Sequence, residues 1–127
     1  MRRGLDHALD EYLVLQAQSG SPEAFAGLVE RWTPKLLAFV ARALGSTEAA
    51  KDVVQDTWES ALRGVARLDD PARFRAWLYA IAARKCTDTL RRKYRDARIA
   101  QSAEATMLDS ENSEGTSNDR LDVAAAL

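Results

Sequence analysis

The sequence predicts an all-α protein, a compact bundle of about four helices with a flexible acidic C-terminal tail. Apolar residues recur at three- and four-residue steps over long stretches, Ser21-Pro22 and Asp70-Pro71 read as helix starts, and neither strict apolar/polar alternation nor hairpin dipeptides such as Asn-Gly occur. A chain of 127 residues, 46% hydrophobic, can bury one modest core. The expected organisation is a flexible N-terminus over 1–9, a helical domain over 10–98 and a disordered linker or tail over 99–127.

The first helix is expected over Asp10 to Gln18, bounded by "SGSP", with Tyr12, Leu13 and Leu15 capping the core. The second opens at Ser21, with Pro22 at the first helical position, where a missing N–H costs nothing. Phe25, Leu28, Val29, Trp32, Leu36, Phe39, Val40 and Leu44 form its apolar stripe, which ends at Gly45. Pro34 lies inside this stripe and predicts a kink or break near Thr33.

The third helix, from about Ser46 to Arg63, carries two stripes. Val53, Val54, Thr57, Trp58, Ala61 and Leu62 read as its core side, and Asp52, Gln55, Asp56, Glu59 and Arg63 as a polar, mainly acidic ridge. A connector, "GVARLDDPAR", leads to the fourth helix, whose buried stripe is expected to be Phe74, Trp77, Leu78, Ile81, Ala82 and Thr89. Arg75, Tyr79, Arg84, Arg91, Arg92 and Arg95 fall mostly outside that stripe. After Ile99, Ser, Glu, Asn, Thr and Gly dominate, a composition too polar to offset its own ordering entropy. The closing "DRLDVAAAL" resembles the beginning of a further helix.

Several function classes are disfavoured. The sequence has no Gly-rich phosphate loop, G-x-S-x-G or H-E-x-x-H, and its one histidine, His7, is poorly placed for a catalytic base, so no enzyme and no cofactor are expected. Cys86 and His7 are too few for a zinc site, and no metal is expected. A single cysteine, no long apolar run and acids where a signal peptide needs its apolar segment fit a cytoplasmic protein with no membrane partner.

Charge is the informative property. The net charge is only −1, yet Arg84 to Arg98 holds seven Lys/Arg against two Asp, while Gln101 to Leu127 holds one Arg against six Asp/Glu. Such segregation predicts separate surfaces with separate partners. The basic cluster suits a polyanion, since cationic side chains release counterions from phosphates and exposed aromatics stack on unpaired bases. Tyr79, about 200° around the helix from Trp77, reads as the best exposed stacking residue. Phe74 and Trp77, taken alone, read more readily as core than as base contacts. The connector, with Arg67 and Arg73 beside Arg75, reads either as a base pocket or as a plain inter-helix turn.

In order and content, "PEAFAGLVERWTPKLLAFVARALGSTEAAKDVVQDTWESALRG" followed by "FRAWLYAIAARKCTDTLRR" resembles the second conserved region of the extracytoplasmic-function (ECF) sigma factors of the sigma-70 family. The resemblance covers about Asp10 to Arg95, and "DVVQDTW" with "FRAWLYAIA", Asp88 and the Arg91-Arg92 pair carries it. It implies a sigma region 2 helical domain in which Asp52, Gln55, Asp56 and Glu59 meet the clamp helices of the largest catalytic subunit of bacterial core RNA polymerase. It also implies that the domain melts and reads the minus-ten promoter element as non-template single strand. Phe74, Arg75, Trp77, Tyr79, Arg84, Lys85, Asp88, Arg91 and Arg92 are the implied DNA contacts, with Arg67 and Arg73 in the connector loop that would hold a flipped base. An anti-sigma factor is a further implied partner.

Two departures qualify this. Many members carry Asn at the position of Arg84, so a phosphate contact is expected there and promoter preference does not transfer. The family continues into a helix-turn-helix domain after the linker, and the chain is therefore expected to be a fragment. Two other readings of the residues stay open: a helical regulator of double-stranded DNA, for which no recognition-helix pair can be assigned, and a protein-interaction module that never touches nucleic acid.

Overall fold

The side chains of Leu28, Trp32, Leu36, Val40 and Leu44, one on every helical turn of the second helix, are buried and set the frame on which the other helices pack. The structure, a computed structural model, describes residues 2–108. Its helices are α1 (Arg2–Gln18), α2 (Pro22–Leu44), α3 (Thr47–Gly64) and α4 (Phe74–Leu108), with short 3-10 turns at Val65–Arg67 and Pro71–Arg73. Among the described residues there is no strand, and no helix is long and apolar enough to cross a membrane.

The helix starts follow the local chemistry. Ser21 Oγ accepts from the Ala24 N–H at 3.1 Å, Ser46 Oγ from the Ala49 N–H at 3.1 Å, and Asp70 Oδ1 from the Ala72 N–H at 3.0 Å. The last of these caps the 3-10 turn that feeds directly into α4. Gly45, at φ 71°, ends α2 in the left-handed conformation that a side chain would penalise, and its N–H donates to the Ala41 carbonyl at 2.8 Å.

The core joins Val14 of α1 to the α2 strip, to Val53, Val54, Trp58 and Ala61 of α3, and to Phe74, Leu78, Ile81, Ala82 and Cys86 of α4. Thr57, the one buried polar side chain among the described residues, donates to the Val53 carbonyl at 2.8 Å. Trp58 is held from two sides: its Nε1 donates to Thr33 Oγ1 at 3.0 Å, and Phe25 meets its ring edge-on at 5.7 Å. Burial pushes the Cys86 thiol above its ordinary pKa, because a thiolate there would lose its hydration.

Five expectations need correction. The segment over 1–9 is helical from Arg2, and Asp6 and Asp10, one turn apart, both approach Arg31 of α2. On α1, Val14 is the buried residue, whereas Tyr12 and Leu15 are exposed and Leu13 is half-buried. Of the kink or break expected near Thr33, the break does not occur: α2 runs through Pro34 as one helix, with buried side chains on both sides of the proline seated in the core. Leu62 is 60% exposed, since it lies one position beyond Ala61, where α3 turns away from the core. Finally, α4 continues to Leu108 instead of ending near Arg98. "IAQSAEATML" is rich in good helix formers and contains no Gly or Pro, and extending an existing helix needs no new nucleus. The rest of the expected acidic tail, including "DRLDVAAAL", lies outside the described residues.

Two predictions follow from this packing. Leu36→Ala, which empties a fully buried site at the centre of the strip, is expected to cost about 2–5 kcal/mol in denaturant unfolding. Cys86 is expected to resist alkylation in the native protein at pH 8 and to react once the chain is unfolded. The sign of its linkage is fixed: the unfolded thiol ionises first, so the stability this site contributes is present below the unfolded pKa and falls as pH rises through it.

Candidate nucleic-acid and polymerase interfaces

The connector between α3 and α4 is a constrained segment. Gln18 of α1 reaches it with one amide group, donating through Nε2 to the Val65 carbonyl at 2.9 Å and to the Leu68 carbonyl at 2.8 Å. Gly64 lets Trp77 approach closely, since a Cβ added at this glycine would stand 3.2 Å from the indole ring. Beside this contact lies a cavity of about 550 Å³ lined by Arg67, Asp69, Asp70, Arg73 and Trp77, among others. Trp77 is half-buried, Arg67 and Arg73 are exposed, and neither arginine is ion-paired with a described carboxylate. Of the residues expected around a base pocket, Arg67 and Arg73 line this open concavity together with Trp77 and the carboxylates Asp69 and Asp70, whereas Arg75 lines a different cleft.

Other expected contacts lie elsewhere. Phe74 is 1% exposed and packs against Trp77 with ring centroids 5.9 Å apart, so it belongs to the core and offers no free face to a base. Tyr79 also departs from expectation. It is half-buried against α2, edge-on to Phe39 at 5.0 Å and to Trp32 at 6.2 Å. The angular argument that separated it from Trp77 holds, but α4 packs on α2 as well as α3 and buries more than one side of its first turns. Arg75 is exposed, with its guanidinium 5.8 Å from the Trp32 ring and 6.0 Å from the Tyr79 ring. Arg84, Asp88, Arg91 and Arg92 are exposed along the next turns of α4, and Lys85 is half-buried.

A second cleft, also about 550 Å³, lies between α1, α2 and the start of α4 and contains Arg75, Lys35, Arg31 and Asp10. Its anchor is Asp10, whose Oδ1 accepts from Arg31 Nε at 2.7 Å and from Trp32 Nε1 at 3.2 Å. Trp32, fixed in this way, presents its ring to Arg75 and to Lys35, whose Nζ lies 4.7 Å from the ring centroid. Sequence reasoning missed Lys35, Asp10 and Gln18. The Trp32-to-Lys35 spacing of three residues could have pointed to the first; nothing local signals the other two, whose partners are at least 21 and at least 47 positions away.

On α3, Asp52, Gln55, Asp56 and Glu59 are all exposed and share one ridge at helical spacing. None of the three acids is ion-paired to a described cation; the nearby Lys51 pairs instead with Glu48 at 3.8 Å. Exposed Leu62 continues the edge of the ridge, and Arg63 closes it. Among the described residues no group of three or more His, Cys, Asp or Glu is arranged to hold a metal ion.

Comparison with known proteins converges on one family. Residues 28–96, from the second turn of α2 to the basic part of α4, match the sigma-70 region 2 family. The ECF RNA polymerase sigma factor SigW of Bacillus subtilis is 31% identical over 98 residues, covering 74% of this chain and 52% of SigW. The RNA polymerase sigma factor CnrH of Cupriavidus metallidurans is 40% identical over 93 residues, covering 72% of this chain and 46% of CnrH. RNA polymerase sigma factor CarQ of Myxococcus xanthus is 33% identical over 90 residues, covering 70% of this chain and 52% of CarQ. The chain spans about half the length of these curated relatives. A solved structure of CnrH in complex with the cytosolic domain of CnrY superposes with a TM-score of 0.58 at 33% identity, covering 94% of this chain and 84% of that one. By the sequence match across α2 to α4 and the shared helical architecture, the chain belongs to the ECF sigma factors of the sigma-70 family.

Proposed function

We propose that the chain is the promoter-melting domain of an ECF sigma factor, a non-enzymatic subunit that joins core RNA polymerase in the cytoplasm and captures the unpaired minus-ten element. The observation that carries this reading is the connector cavity, where Trp77, Arg67 and Arg73 meet around a space open to a ligand. An extruded base costs a few kcal/mol of unstacking, which an indole wall and two guanidiniums can offset. Arg84, Arg91 and Arg92 would hold the phosphates that follow, and Arg75, Lys85 and Asp88 complete the proposed face. Tyr79 would contribute through its exposed edge and by holding Arg75, and Phe74 by supporting Trp77 from the core.

The acidic ridge of α3 serves the other partner in this proposal. Asp52, Gln55, Asp56 and Glu59 would face basic groups on the clamp helices of the polymerase, where complementary charge supplies steering and register. Exposed Leu62 supplies an apolar contact at the ridge's edge. An anti-sigma factor is a fitting third partner, since the solved relative CnrH was captured with the cytosolic domain of CnrY.

Charge reversal at Asp52 and Asp56, both to Lys, is expected to abolish capture of the clamp helices while the far-ultraviolet circular dichroism stays unchanged. Retained capture would show that another face meets the polymerase. Anisotropy titrations of short promoter-like single strands and matched duplexes, each at two salt concentrations, test the other face. A particular single strand should be preferred, Trp77→Ala should weaken it by about 1–3 kcal/mol, and Arg91→Ala should lower the salt slope by about 0.7. Duplex preference would favour a double-strand regulator instead. Binding to neither would leave a protein-interaction module.

A further inference from the structure

The part of α4 beyond the core carries an arginine stripe. Arg84, Arg91, Arg95 and Arg98 are separated by seven, four and three residues, so at about 100° per residue they lie within about 60° of one another around the helix. All four are exposed, as is every residue from Arg95 to Glu104. The stripe spans about 21 Å at 1.5 Å per residue, and none of its arginines is ion-paired with a described carboxylate. Arg91 with Arg95 and Arg95 with Arg98 are like-charge neighbours at helical spacing, an arrangement that destabilises a helix with no core beneath it. An anionic segment lying along the stripe would relieve that repulsion.

The same chain supplies one. Residues 109–127, which follow the end of α4, contain Asp109, Glu111, Glu114, Asp119 and Asp122 against Arg120, a net charge of −4; Arg91 to Arg98 carries five cations against Asp96, a net charge of +4. From Leu108 back to Arg98 is about 15 Å along the helix, and the stripe adds about 21 Å. At about 3.4 Å per extended residue this path takes about eleven residues, so nineteen suffice with room for the reversal. We infer that the acidic segment 109–127 docks on the arginine stripe of α4 and competes there with nucleic-acid phosphate. The docking rests on charge and reach alone; its effect on DNA rests on the reading proposed above. A tether of this length gives the segment an effective concentration in the millimolar range, enough for a weak pairing to be populated. Single-strand binding would then require displacement of the segment, which lowers the apparent affinity for every single strand by the same factor.

The full chain tests this. A nitroxide attached at Ser117→Cys, with buried Cys86 left unlabelled, should broaden the amides of Arg91 to Arg98 in low salt. The broadening should disappear in 0.5 M salt and in the variant carrying D109N, E111Q, E114Q, D119N and D122N. Broadening centred on α1 or on the α3 ridge, or none at all, would overturn the docking. Broadening of isotope-labelled, nitroxide-free chains by an unlabelled spin-labelled chain would also overturn it, since the occupant would then be a second copy. In parallel, the neutralised variant should bind a labelled single strand about 5-fold tighter than the natural chain at low salt, with the difference closing at high salt. Equal affinity of the two proteins at low salt would overturn the competition. If neither binds single strands while the broadening persists, the docking stands and the promoter-binding reading falls.

Discussion

The structure depends on one strip of side chains. Leu28, Trp32, Leu36, Val40 and Leu44 place one buried group on each turn of α2, and every other helix acquires its orientation by covering part of that strip. Because the strip is continuous across Pro34, the loss of one backbone hydrogen bond there is outweighed by packing before and after it. The strip also decides what remains outside. Once Val53, Val54, Thr57 and Ala61 are committed to the core, the same helical period turns Asp52, Gln55, Asp56 and Glu59 outward. The acidic ridge is thus a geometric consequence of burying its own helix.

Polar contacts then refine what apolar burial only approximates. Asp10 binds Arg31 and Trp32 together and is itself largely shielded from water, so the pair is stronger than an exposed one of the same length. Through Trp32 this network sets the ring against which Arg75 and Lys35 rest. Gln18 does the same for the connector, tying two carbonyls with one amide and thereby shaping the wall of the cavity beside Trp77. Both devices originate in α1, which contributes little apolar core beyond Val14 yet holds the loop and the cleft on which the proposed DNA face relies.

The charges are distributed so that each surface presents one dominant sign. The ridge acids of α3 and the stripe arginines of α4 belong to different helices, and among the described residues none of them is ion-paired. Unpaired surface charge contributes little to folding stability. Such charge acts mainly at long range, and a near-neutral total avoids the self-repulsion that a strongly basic chain would carry.

Much of this was legible in the residues alone. The helix starts at Ser21, Ser46 and Asp70 are local hydrogen-bond chemistry, and the stripes of α2 and α3 are set by helical period, so both are determined within a few positions of sequence. The ridge residues follow from the same period, the basic stretch from composition, and the family resemblance from the motifs "DVVQDTW" and "FRAWLYAIA". What only the tertiary structure decided is which of two plausible faces is covered. Tyr79 is more covered than expected because a helix packed on two neighbours buries a wider arc than its strongest stripe suggests, whereas Leu62, one position beyond Ala61, faces away from the core and stays exposed. The two ends of the domain ran longer than composition implied, because helix propagation from a stable core needs only permissive residues. Gln18 and Asp10 were invisible for a different reason: their partners are remote in sequence, and only folding brings a glutamine to two carbonyls or an aspartate to an indole.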